Sequence, residues 1–362
     1  MEGDGLMRRL FLLLVLFILA STIHAQPKFS GSMFGDYFYN IEASDPGKAH
    51  IGGFQFRRIY FTADFPISES FDSRFRLESD ESVNSNTPGG KLGVLVKDAY
   101  LRWKNVFSGS DLYFGISPTP EIDIAENAWG YRSVEKVIMD LHGIASSRDL
   151  GIDLKGKITN DGMIKYWLKA ANDSTNAFET NKSKRYYSAL QISPLHNLMI
   201  SLYGDYADVP QRRDPVTKKL IENDIFIAAF LLNYAEKDKY SFGVEGFYKD
   251  QQNNINTDTL SPAKTQLSYG ISFWGWYEIS DLIHIVARYD LFQPNNEYVI
   301  NVNNPNDKGD KVNFFLAGVD FRVDKNVSII PNIEYTTYQN LPKVGLSNDH
   351  DLMARVTFAY NF

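Results

Sequence analysis

Residues 352–362, LMARVTFAYNF, close the chain and alternate without a break. Leu352, Ala354, Val356, Phe358, Tyr360 and Phe362 share one parity, and Met353, Arg355, Thr357, Ala359 and Asn361 share the other. Successive side chains of a strand point to opposite faces. The stretch therefore reads as one strand with an apolar face, aromatic at its end, and a mostly polar face.

The same period recurs upstream. The clearest case is 71–80, where Phe71, Ser73, Phe75, Leu77 and Ser79 oppose Asp72, Arg74, Arg76, Glu78 and Asp80. Five charges on one face of one strand require water on that side. Further alternating runs lie at 28–41, 53–65, 98–104, 111–117, 149–158, 163–171, 185–193, 198–206, 225–234, 240–249, 266–279, 282–291, 312–323 and 327–338, which makes sixteen. Seven connections between them are short turns and eight are long and polar, in strict succession.

An even number of strands, with short turns at one end and long loops at the other, is the plan of a transmembrane barrel. In hydrocarbon every backbone N–H and C=O must be paired, and only closure of the sheet removes its edges. The expected fold is all-β: a transmembrane antiparallel β-barrel of about 16 strands over 26–362, with an aqueous lumen. Alternation alone also fits a soluble β-sandwich with its charges outward; the spacing and the two chain ends favour the barrel. Two positions break the pattern. Arg57 falls on the face of Ile59 and Phe61, and Lys97 on that of Ala99 and Leu101. A charge on the lipid side costs ~2–4 kcal/mol at mid-membrane, so snorkelling or a β-bulge is expected at both.

At the other end of the chain Arg8 and Arg9 precede the apolar run LFLLLVLFILA at 10–20, followed by Ile23-His24-Ala25. This reads as a signal peptide over 1–25; its apolar core is short of the ~20 residues a spanning helix needs. Aromatic residues make up 14% of the chain, which favours strands and membrane-interface girdles. Without cysteine there is no disulfide framework and no thiolate metal site. A formal charge of −7 argues against nucleic acid as a partner.

The Arg57-Arg58 strand, Asp98-Ala99-Tyr100-Leu101, Leu112-Tyr113-Phe114-Gly115 ending at Pro118, Ser147-Arg148-Asp149-Leu150-Gly151, Arg288-Tyr289-Asp290 and the terminal Phe362, in that order, resemble Gram-negative outer-membrane porins. The resemblance is to the phosphate-selective porin O and P-like group. It implies location in the bacterial outer membrane, contact with outer-membrane lipid, recognition of Phe362 by the barrel assembly machinery, and a homotrimer. It also implies that the connection after strand five, 119–147, folds into the barrel as a constriction loop. The acids Glu121, Asp123 and Glu126 would then face a basic wall of Arg58, Arg74, Arg76 and Arg102, with a transverse field between them. The same loop could instead pack outside as a lid or subunit contact. A short helix is expected at 134–141.

The implied function is passive diffusion of small hydrophilic solutes or ions, with a lean to anions. Lys155, Lys157, Lys165 and Lys169 offer a possible basic track, or simply a solvated wall. The six histidines are scattered, and HExxH, P-loop and GxSxG patterns are lacking. No catalytic residue, cofactor or metal ligand is expected, and His284 reads as a pore-wall residue. The alternative is a non-conducting barrel serving as adhesin, scaffold or surface enzyme.

Overall fold

A computed structural model describes residues 26–80, 91–255, 262–295, 311–339 and 349–362; the signal peptide read over 1–25 lies outside the described residues. The strands are β1 (Lys28–Glu42), β2 (Gly52–Pro66), β3 (Phe71–Asp80), β4 (Leu95–Phe107), β5 (Ser110–Pro118), β6 (Arg148–Lys157), β7 (Ile164–Ala171), β8 (Lys184–Leu195) and β9 (Leu198–Asp208). They continue as β10 (Arg212–Arg213), β11 (Leu220–Ile221), β12 (Ile225–Glu236), β13 (Tyr240–Ile255), β14 (Lys264–Ser280), β15 (Ile283–Gln293), β16 (Lys311–Asp324), β17 (Val327–Gln339) and β18 (His350–Asn361). Sixteen of them form one closed antiparallel barrel, each pairing with its neighbour in sequence and β1 pairing with β18. The remaining two, β10 and β11, make a small separate hairpin within a long connection that the sequence pattern left as loop.

Closure follows the alternation read from the sequence. Outward residues such as Phe61, Phe114, Leu202, Phe273, Ile333 and Val356 are exposed, as a lipid-facing band requires. No helix among the described residues is long and apolar enough to cross a membrane, so crossing falls to the strands. The closing strand runs antiparallel to β1 from Ser32↔Asn361 onward, and Gly31 and Phe362 exchange two backbone hydrogen bonds of 2.9 and 3.0 Å beyond it. The Phe362 ring lies over Gly31, where a Cβ would meet ring carbon at 2.1 Å; only glycine admits that approach.

Both misfits are β-bulges. In the β1–β2 ladder Phe34 pairs with Arg58 and Gly35 with Phe56, so Arg57 is the extra residue. In the β3–β4 ladder Arg76 pairs with Asp98 and Leu77 with Val96, which makes Lys97 the extra one. Each bulge turns two consecutive polar side chains into the lumen, where water and carboxylates are available.

Candidate functional site

Between β5 and β6 the chain leaves the barrel wall and enters the lumen. Thr119 N–H donates to Ser147 O at 3.1 Å and closes the neck. Helix α1 (Pro120–Trp129) follows, then a turn, then the short α2 (Ile138–Leu141). Helical structure therefore begins earlier than the segment expected at 134–141. The local signals for α1 are present: Pro120 in the first turn, Glu121 and Asp123 beside the helix N-terminus, and Gly130 at φ 73° beyond its end, its N–H donating to Glu126 O at 3.0 Å.

The inner wall carries an apolar patch among its charged residues, and the loop is packed on it. Trp129, Val134, Val137, Ile138 and Met139 are fully buried in a cluster with Tyr203, Ile227, Leu231, Phe247, Trp274, Val286, Leu316 and Ile330. These wall residues come from β9 and β12–β17. Apolar surface that would otherwise face water in the lumen is what holds the loop inside.

Polar contacts from β2, β15, β16 and β18 fix it further. Arg57 Nη1 donates to Ser133 O at 3.2 Å and to Val134 O, and Arg355 Nη2 donates to Val134 O at 2.9 Å. Arg288 donates to Lys136 O, and Tyr131 donates to Asp320 at 2.9 Å. Glu135 takes Arg57 at 3.3 Å and Arg355 at 3.7 Å. Arginine carries five donors in a rigid fork, so each of these side chains can serve a carbonyl and a carboxylate together.

The wall at β2–β6 keeps its charges, but as pairs. Arg58 bonds Glu78 and, at 2.9 Å, Asp80. Arg74 holds Asp64 bidentately at 2.7 and 3.0 Å. Arg76 lies 3.3 Å from Asp98, and Arg102 2.7 Å from Asp111 and 3.5 Å from Asp72. Arg58 is nearly covered, its side chain 11% exposed, whereas Arg74 and Arg102 remain 32% and 36% exposed. The four arginines thus line one side of the lumen as a ladder of ion pairs instead of a free basic wall.

The loop acids are not arrayed against that ladder. Glu121 is buried between α1 and the wall near Ser201, and Glu245 of β13 is close enough to repel it. Among the described residues neither carboxylate has a hydrogen-bond partner of ordinary geometry. Burial pushes the Glu121 carboxyl up to about 8. Glu126 bonds Arg132 of its own loop at 2.6 Å. Asp123 is only partly buried and lies in the field of Arg148 and Lys155. The physical reason is the amphipathic helix: its apolar side must face the apolar wall, and this carries Glu121 with it.

A single lysine track does not form. Lys169 is buried on Asp153 at 3.2 Å and on Ser117, and the Lys155 ammonium sits 3.3 Å from the centre of the Trp167 ring. Lys157 and Lys165 pair with each other across β6 and β7, and both are exposed. His284 is buried on the inner wall, 3.4 Å from Tyr131 and stacked on Trp276. Among the described residues no three His, Cys, Asp or Glu converge on a metal position. The role of Arg57, Arg288 and Arg355 in holding the loop was not legible in the sequence: alternation places Arg288 and Arg355 on the inner face and marks Arg57 as a break in the pattern, but no local signal gives their partners.

No protein-family model and no curated protein matches the chain. Solved structures do. The anion-selective porin from Comamonas acidovorans superposes with TM-score 0.65 at 11% identity, covering 93% of this chain and 99% of that one. The outer membrane channel DcaP of Acinetobacter baumannii gives 0.64 at 12%, covering 93% and 97%. A trimer form of OmpT, an outer membrane protein of Vibrio cholerae, gives 0.58 at 12%, covering 93% and 99%. The shared feature is the fold, an outer-membrane β-barrel, which in this chain closes with sixteen strands.

Proposed function

We propose that the barrel is a passive porin whose path runs between the inward loop and the ion-pair ladder of β2–β6. The observation that carries this reading is the division of the lumen. The loop covers the apolar patch of β9 and β12–β17, and Arg74, Arg102 and their partners stay partly exposed on β2–β5. Small hydrophilic solutes would pass alongside fixed charges, in a field focused by low-dielectric walls. In this reading 119–147 is the constriction loop. Arg74, Arg76 and Arg102 are the selectivity residues, with Asp123 and Glu126 on the loop side as secondary terms; Arg58 and Glu121 serve structure.

The lean to anions and the likeness to the phosphate-selective porin O and P-like group belong to this proposal. So do a homotrimer, which has a parallel in the trimer form of the Vibrio protein, and a periplasmic position for the short turns. Recognition of Phe362 by the assembly machinery is part of the same reading.

Planar-bilayer recording tests it. Stable single-channel conductance is expected, with a reversal potential in asymmetric salt on the anion side. Heat-modifiable, folded protein that gives no conductance would sink the porin reading in favour of a non-conducting barrel. Cation selectivity would remove the anion assignment alone.

A further inference from the structure

Beneath the loop tip the lumen widens into a cavity of about 740 Å³ on the short-turn side, roofed by residues 130–133 and reaching the turn at Lys325 and Asn326. Its charge is one-sided. Among its described lining residues the charged side chains are Arg76, Arg132, Arg322 and Lys325 against the one side-chain carboxylate of Asp320, with the main-chain end of Phe362 also at its rim. The partners of Arg76 and Arg132, namely Asp98, Glu126 and Asp140, lie outside the lining. Asp320 itself is held by Tyr131 at 2.9 Å and Arg322 at 3.5 Å, so it orients Arg322 instead of standing as a free repulsive charge.

The cavity is also aromatic, on two facing sides. On the β1–β3 side the Arg76 guanidinium stands 5.6 Å from the Tyr60 ring centre, and Phe34 tilts against Tyr60 at 6.5 Å. Across from them, Tyr131 of the loop and Trp276 of β14 meet at 6.3 Å. A hydrated inorganic anion has no use for ring faces, which are apolar and are themselves attracted to cations. A flat apolar body with one anionic end uses both features: the ring is taken out of water among the four aromatics, and the carboxylate receives charge-assisted hydrogen bonds from arginine.

We infer that this chamber is a binding site for aromatic carboxylates, filled from the lumen and lying below the constriction. The inference rests on the lumen geometry and uses the porin reading only for the route by which the solute arrives.

Titration calorimetry of the full-length barrel in detergent, with phenylacetate as probe, tests this without conduction. Acetate and inorganic phosphate supply the anionic end alone, and 2-phenylethanol supplies the ring alone. Phenylacetate is expected to bind about tenfold or more tightly than any of the three, a margin of about 1.4 kcal/mol. Arg322→Gln and Tyr60→Leu, on opposite sides of the chamber, should each weaken it about tenfold, and Arg322→Lys should restore part of the loss. Folding of each variant is read separately by heat-modifiable mobility. Phosphate or acetate binding as tightly as phenylacetate, no measurable phenylacetate binding, or affinity unchanged in both folded variants would overturn the assignment. A channel that conducts but fails this test leaves the porin reading standing, and a non-conducting barrel that binds phenylacetate does the reverse.

Discussion

Arg57 reaches Glu135 at 3.3 Å inside the lumen, tying the bulge of β2 to the far limb of the inward loop. The same guanidinium bonds the carbonyls of Ser133 and Val134, and Arg355 approaches Glu135 from β18 at 3.7 Å. The loop is thus fastened in two ways, by apolar packing on β9 and β12–β17 and by arginines from β2, β15 and β18.

Arg57→Ala would leave Glu135 on the loop and the buried Asp36 on β1 short of a partner and the Ser133 carbonyl without its donor, while Arg355 still serves Val134. Removing one member of a buried ion pair costs about 3–5 kcal/mol, here divided between docking of the loop and the β1–β2 wall. Larger and noisier single-channel currents are expected, with the barrel itself still heat-modifiable. Currents identical to the parent protein would mean that Arg57 does not hold the loop.

Arg74 and Arg76 each face a carboxylate, Asp64 and Asp98 respectively. Arg74→Gln with Arg76→Gln should therefore do more than lower the positive charge, because it frees the partly exposed Asp64, while Asp98 keeps Arg148. The reversal potential in asymmetric salt should move toward cations. An unchanged value would place the path elsewhere.

Docking of α1 should depend on pH through Glu121. The carboxyl is raised from 4.5 to about 8 when buried, so the docked loop favours the protonated form. Docking is then strongest below about 4.5, weakens as pH rises between the two values, and levels off above 8. Facing groups are Ser201 on β9 and Glu245 on β13, the latter in the field of Arg288, Asp290 and Glu126. Conductance measured from pH 5 to 9 should rise or become noisier toward alkali, and Glu121→Gln should flatten that dependence. A parent profile as flat as the variant's would rule this out.

Phe362 packs over Gly31 outside the closing ladder. Phe362→Ser should lower the yield of folded barrel in membranes while leaving the thermal stability of the purified, folded protein within about 1 kcal/mol, as for an exposed residue. Heat-modifiable mobility of membrane fractions measures the first quantity, and thermal unfolding the second. Full yield would show that assembly does not depend on the terminal ring.

The barrel was legible in the chain because the determinants of a strand are local. Period-two alternation in 352–362 and in 71–80 fixes which side chains share a face, and the rhythm of short and long connections fixes the antiparallel order. Closure then follows from the need to pair every backbone group in hydrocarbon. What the sequence did not disclose is what lies opposite what across the lumen. Ile227, Leu231, Trp274 and Leu316 alternate as inward residues like any others, and nothing local says that their surface is dry because Trp129 and Met139 cover it. The partners of Arg58, Arg74, Arg76 and Arg102 are cross-strand neighbours, set by register, and register moved where Arg57 and Lys97 bulge. Periodicity determined the wall; the placement of the loop, the pairing of the arginines and the aromatic chamber below them came from contacts between residues far apart in the chain, which only closure of the barrel brings together.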